Sequence, residues 1–203
     1  MPTPASVAGL ARAFDATGDL IAAVGEGQWS NPSPCPEFNV RALVNHLVFG
    51  SRMFAGILRG EPPPSLEDLT RLRAIDQLGD HPLKAHGDAG AELQAAFGQP
   101  NILERPFWSP MGVAPGAVLL HLRITEELVH GWDLAHATAQ PARLPEDLAE
   151  DELAFSRSQL DVKVPRTYRF GEAQPVADDA PAIDRLAAFL GRPITRLAEP
   201  GRT

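Results

Sequence analysis

This chain of 203 residues has one cysteine, Cys35, which excludes an internal disulfide and fits a reducing compartment. It has no apolar run of 18 residues, so no membrane span is expected. Its N-terminus, Met1-Pro-Thr-Pro-Ala-Ser-Val7, lacks a basic region followed by an apolar core, so no signal peptide is expected and the location implied is cytoplasmic. Aromatic residues are scarce at 6%. Basic residues number 18 against 26 acidic, a net charge of -8, and no Lys/Arg cluster overrides it; a nucleic-acid surface is therefore not expected. Neither a glycine-rich phosphate loop nor an arrangement for a Ser or Thr nucleophile occurs. What is present is ordinary for a globular chain: 44% apolar and 22% charged residues, enough to bury a sizeable core. The 20 prolines fall mainly between stretches of helical period.

Taken in order, Ser6 to about Val24 is a first helix, with Val7, Leu10, Phe14, Leu20 and Ile21 at three- and four-residue spacing. Residues 25–38 are a loop that Pro32, Pro34 and Pro36 should hold extended. Asn39 is an N-cap for a second helix running to Arg59, with His46 on the shoulder of its apolar stripe. Gly60-Glu-Pro-Pro-Pro64 ends it, and a linker of mixed charge follows. Asp76–Leu78 and Pro82–Phe97 together predict a third helix, with Leu83, Leu93 and Phe97 apolar. Residues 98–116 read as a long crossover, either hairpin or lid, with a short extended piece at Leu103–Trp108. A long helix from about Ala117 to Thr138, an acidic helix from Pro145 to Gln159 and a last helix from Pro181 to Leu190 complete the pattern. Residues 160–177 are expected to be irregular or briefly extended, and Pro193–Thr203 loosely held.

The 117–138 helix is where chemistry concentrates. Val118, Leu122, Val129 and Trp132 form an apolar stripe. Glu126 and His130 leave the same face four residues apart, and Asp133 follows three further on. With His46 from the second helix, two histidines and a carboxylate make the ligand set of a catalytic zinc site with an open position, and also suit iron or nickel. Asp133 is placed to orient an imidazole from behind. The same spacing also serves a surface ion pair, and a lone helical histidine is often a satisfied core residue.

Pro32-Ser-Pro-Cys-Pro-Glu-Phe-Asn-Val-Arg-Ala-Leu-Val-Asn-His46, taken with Glu126-Glu-Leu-Val-His-Gly-Trp-Asp-Leu-Ala-His-Ala-Thr138, resembles the DinB-like superfamily. More narrowly, it resembles the metal-binding domain of mycothiol-dependent maleylpyruvate isomerases and their relatives. Phe170-Gly171 and Ala180–Arg192 are similar to the tail of those relatives. The resemblance implies an all-α fold, an antiparallel four-helix bundle over residues 1–140 with a helical C-terminal extension over 141–203 packed on it. It implies a divalent metal, most simply zinc, on His46, Glu126 and His130. The isomerases carry a further C-terminal domain that 203 residues are expected not to include.

Two function classes follow. One is a metal-dependent enzyme acting with a low-molecular-weight thiol such as mycothiol, in thiol transfer or thiol-assisted isomerisation. The other is a non-catalytic metal- or small-ligand-binding bundle; a homodimer through a helix face is compatible with either. Cys35, next to a helix start, reads as a packed loop residue rather than a thiolate. Trp132, His121 and His136 read as structural, and His81 and His86 as surface residues. Trp29 and Trp108 are loop residues eligible for a pocket mouth, and the acidic run 145–152 reads as a solvated helix face.

Overall fold

The computed structural model describes residues 5–110, 112–160 and 170–194. Seven helices and one hairpin occur among them, so the chain is mostly helical rather than strictly all-α. Helix α1 spans Val7–Ala22, α2 Val40–Arg59, α3 Leu66–Arg73, α4 Pro82–Phe97, α5 Gly116–Ala137, α6 Glu146–Gln159 and α7 Ala182–Phe189. Strands β1 (Pro106–Ser109) and β2 (Gly112–Pro115) pair antiparallel, Trp108 opposite Val113.

Caps set several of these boundaries. The Ser6 hydroxyl accepts from the Gly9 amide at 3.0 Å, and the Asn39 carboxamide from the Ala42 amide at 2.8 Å. Helix α3 forms where a linker of mixed charge is expected. Its signal is present all the same: Ser65 caps Asp68 at 3.1 Å, Glu67 and Asp68 occupy the first turn, and Arg71 and Arg73 the last. The expected helical start at Asp76–Leu78 does not form. Buried Asn45 on α2 captures this backbone instead, accepting from the Gln77 amide at 2.6 Å and donating to the carbonyls of Arg73 and Ile75. Within the expected crossover 98–116, strands 106–109 and 112–115 form the hairpin, so the extended piece expected at Leu103–Trp108 begins only at Pro106. Residues 161–169 of the expected irregular stretch, with 195–203 of the expected loose tail, lie outside the described residues.

The proline loop is extended only at its ends, where Pro32 bridges to Asn39. Between them it folds back: the Phe38 amide donates to the Cys35 carbonyl at 3.0 Å, and the Ser33 hydroxyl donates to the carbonyls of Phe38 and Cys35 at 2.7 and 2.9 Å. Prolines exclude helix there, but a hydroxyl able to satisfy turn carbonyls decides the path.

The four longest helices close on one another, α1 touching α4 and α5, and α2 touching the same two from the other side. Helices α6 and α7 pack on each other and on α5. Helix α5 is therefore covered on most sides. The expected stripe is half right: Val129 and Trp132 are buried, but Val118 and Leu122 are only partly covered, while Leu119, Leu120, Ile124 and Leu128 are fully enclosed. Among the described residues no helix is long and apolar enough to cross a membrane.

Candidate metal centre

Helices α2 and α5 bring His46, Glu126 and His130 together. The His46 Nε2 lies 3.1 Å from Glu126 Oε2, and the His130 Nε2 lies 3.5 Å from the same oxygen. The two imidazoles stand edge to face with ring centres 5.1 Å apart, and Phe38 from the folded-back loop stacks on His46 at 5.0 Å. All three donor atoms fall within 4.8 Å of one another. A tetrahedral zinc site with bonds of about 2.0–2.2 Å has donors about 3.4 Å apart, and the two nitrogen–oxygen separations here, 3.1 and 3.5 Å, are close to that spacing.

Behind His130, its Nδ1–H donates to Asp133 Oδ2 at 3.0 Å, which leaves Nε2 as the atom facing Glu126. Asp133 is fully buried and receives two further hydrogen bonds from Arg192, at 3.2 and 2.8 Å. The Nδ1 of His46 is buried without a hydrogen-bond partner, so that ring is held by its Nε2 contact with Glu126 and by stacking on Phe38.

The electrostatics divide the three groups. Burial opposes charge on Glu126, but hydrogen bonds from His130 and His46 outweigh it and hold the carboxyl well below the usual range. Burial likewise opposes charge on His130, yet Asp133 and Glu126 push it up to about 9. For His46 burial wins, and its pKa is lowered. Without metal, the centre is thus a carboxylate between a neutral and a protonated imidazole.

A second set, Cys35, His130 and Asp133, also lies within reach of one ion. It is the poorer candidate, because the facing atoms of His130 and Asp133 already bond each other and Asp133 is engaged by Arg192. Burial pushes the Cys35 thiol up to about 11, which agrees with a packed loop residue.

The centre opens on a cavity of about 780 Å³. Its walls are Cys35 and Phe38 from the loop, Phe49 and Met53 from α2, Leu122 from α5 and Phe170 from the C-terminal segment. Arg123, one turn before Glu126, also lines it and is almost wholly buried, its guanidinium 4.0 Å from Glu126 and 3.6 Å from Glu127. Trp29 and Trp108 are not among the lining residues; Trp108 is 71% exposed on the hairpin.

Several polar groups that sequence reasoning set aside are buried. His86, expected at the surface, is 2% exposed and pairs with fully buried Glu127 at 2.9 Å. Five-residue spacing from His81 hid this, because the partner lies on another helix. Glu152 departs from the solvated face expected for its run, accepting from His121 at 3.0 Å and Thr125 at 2.9 Å. His121, His136 and Trp132 are structural as expected, the Trp132 indole donating to Asp184 at 2.7 Å.

Comparison with known proteins identifies the family and the fold. Two uncharacterized proteins from two strains of Mycobacterium tuberculosis are each 33% identical over 186 residues, covering 90% of this chain and 95% of theirs. A crystal structure of the mycothiol-dependent maleylpyruvate isomerase superposes with a TM-score of 0.59 at 15% identity, and that of a histidine-to-alanine variant with 0.61 at 16%. Each covers 73% of this chain, which spans 66% of the solved chain's length; at such identity the likeness is one of fold. Residues 10–135 match the mycothiol maleylpyruvate isomerase N-terminal domain. That match runs from the first turn of α1 to the last turn of α5 and holds the whole donor triad, and the chain belongs to this family.

Proposed function

We propose that the protein binds a divalent metal, most simply zinc, through His46, Glu126 and His130, and acts as a metal-dependent enzyme on a low-molecular-weight thiol such as mycothiol. The observation that carries the reading is the convergence of two imidazoles and a carboxylate on the wall of a cavity large enough for a small molecule. We read the closed set α1, α2, α4 and α5 as an antiparallel four-helix bundle over residues 1–140, with 141–203 as an extension packed on it, and the setting as cytoplasmic.

When bound, the metal would supply Lewis acidity that favours the thiolate form of a thiol at neutral pH. The protein's own residues do the rest. His46 is already neutral and ready to donate a lone pair, whereas His130 must first release the proton that Asp133 and Glu126 hold. The walls at Phe38, Phe49, Met53 and Leu122 offer apolar surface to a bound small molecule. Elemental analysis of purified protein should find about one zinc per chain, and His130→Ala should find almost none while its circular dichroism stays helical. Thiol conjugation to a small electrophile should require the metal. Full metal occupancy in His130→Ala would overturn the ligand assignment; a loaded protein inert to every thiol would leave a non-catalytic metal-binding bundle.

A further inference from the structure

We infer that Arg192, delivered by the C-terminal segment, is a positioning residue of the metal centre and acts through Asp133 on His130. The inference rests on the metal reading above and extends it to a part of the chain outside residues 10–135.

Local backbone chemistry aims the side chain. Helix α7 ends in a Schellman turn: the Gly191 amide donates to the Ala188 carbonyl at 3.0 Å and the Arg192 amide to the Ala187 carbonyl at 3.0 Å. Gly191 sits at φ +95, a conformation that disfavours any side chain, and a Cβ there would stand 2.6 Å from the Gly171 Cα. The turn is thereby locked against residue 171 and throws Arg192 back toward α5. Its Nε and Nη2 form a fork on the two oxygens of Asp133 at 3.2 and 2.8 Å. Both groups are largely buried, the side chains 11% and 0% exposed. Asp133 takes the His130 Nδ1–H on the same Oδ2 that Arg192 holds. Two oxygens fixed by a fork cannot rotate, so the imidazole is held in one orientation with Nε2 toward Glu126 and His46. Without the fork, a buried aspartate with one remaining partner is free to turn.

Helix α7 does not depend on this contact for docking. Trp132 donates to Asp184 at 2.7 Å, the Ala182 amide to Glu146 at 2.6 Å, and Ile183, Leu186 and Leu190 are buried. Arg192→Ala and Asp184→Asn therefore separate positioning from docking.

The experiment measures zinc affinity by chelator competition, the visible spectrum of the Co²⁺-loaded protein, and solvent exchange of the His130 Nδ1–H by NMR in metal-free protein. Arg192→Ala should weaken zinc by about tenfold or more and alter the Co²⁺ spectrum, as losses behind a metal ligand do. Arg192→Lys should restore part of the affinity, and Asp184→Asn should leave affinity and spectrum unchanged. In an Asp133→Ala background, adding Arg192→Ala should cost nothing more, because the arginine acts only through the aspartate. The Nδ1–H should exchange slowly in wild type and fast in Arg192→Ala, a readout that needs no metal. A wild type that binds no metal but shows this exchange difference sinks the proposed function and keeps the positioning role. Wild-type affinity in Arg192→Ala, or additive losses with Asp133→Ala, overturns the inference; if Arg192→Ala fails to fold, Arg192→Lys and Arg192→Gln carry the same comparison.

Discussion

Without metal, His130 is a buried imidazolium, and this predicts a stability contribution that is lost at alkaline pH. The perturbation is metal removal followed by titration. The His130 pKa rises from 6.5 to about 9 on folding, burial being outweighed by hydrogen bonds to Asp133 and Glu126. A group raised in the folded state contributes its full stability below its unfolded value and loses it as pH climbs through the folded one. At about 1.4 kcal/mol per pKa unit, the contribution is about 3 kcal/mol. His130 is only 7% exposed, so solvent screening takes little of it. Glu126, held low by the same contacts, has the reverse sign: its share is present above 4.5 and lost as pH falls below that. The two shifts describe one set of contacts and count once, so the metal-free centre is most stabilising between 4.5 and 6.5. Urea unfolding in chelator, followed by circular dichroism, should show wild type losing about 3 kcal/mol relative to His130→Ala as pH rises from 6.5 to about 9. A difference that stays flat across that window would falsify the charge assignment at His130.

Further outcomes follow from the same geometry. Apparent zinc affinity should rise about tenfold per pH unit up to about 9, because metal and proton compete for His130; a pH-independent affinity by competition assay would exclude it as a ligand. Glu127→Ala should destabilise by about 3–5 kcal/mol in urea, since it removes the carboxylate partner of buried His86 and the nearer of the two beside buried Arg123; a loss below about 1 kcal/mol would show the network to be dispensable. Gly90→Ala should cost about 1–3 kcal/mol, its Cβ meeting Phe14 at 2.5 Å, and a neutral result by thermal melting would mean that the α1–α4 contact is loose.

The local part of this protein was legible in its sequence. Helix α2 begins after Asn39, as its cap requires, and α5 lies within a residue of its expected limits because no proline interrupts it. Glu126 and His130 share a face by spacing alone, and His46 meets them because its helix had to turn an apolar stripe inward. Helix α3 was legible too, in Ser65-Leu-Glu-Asp68, but a charged stretch with so few apolar residues hid a cap signal.

Only the tertiary structure decided the partners of the other charges. His86 finds Glu127 41 residues away, and Arg192 finds Asp133 59 residues away, distances over which no helical period applies. Burial sets whether such a pair exists at all: a buried charge must be matched, and the match comes from whichever element packs against it. The cavity is of the same kind, its walls drawn from a proline loop, three helices, Pro110 after β1 and a C-terminal segment. Sequence period selects the atoms that face inward along one helix, while packing selects what they face.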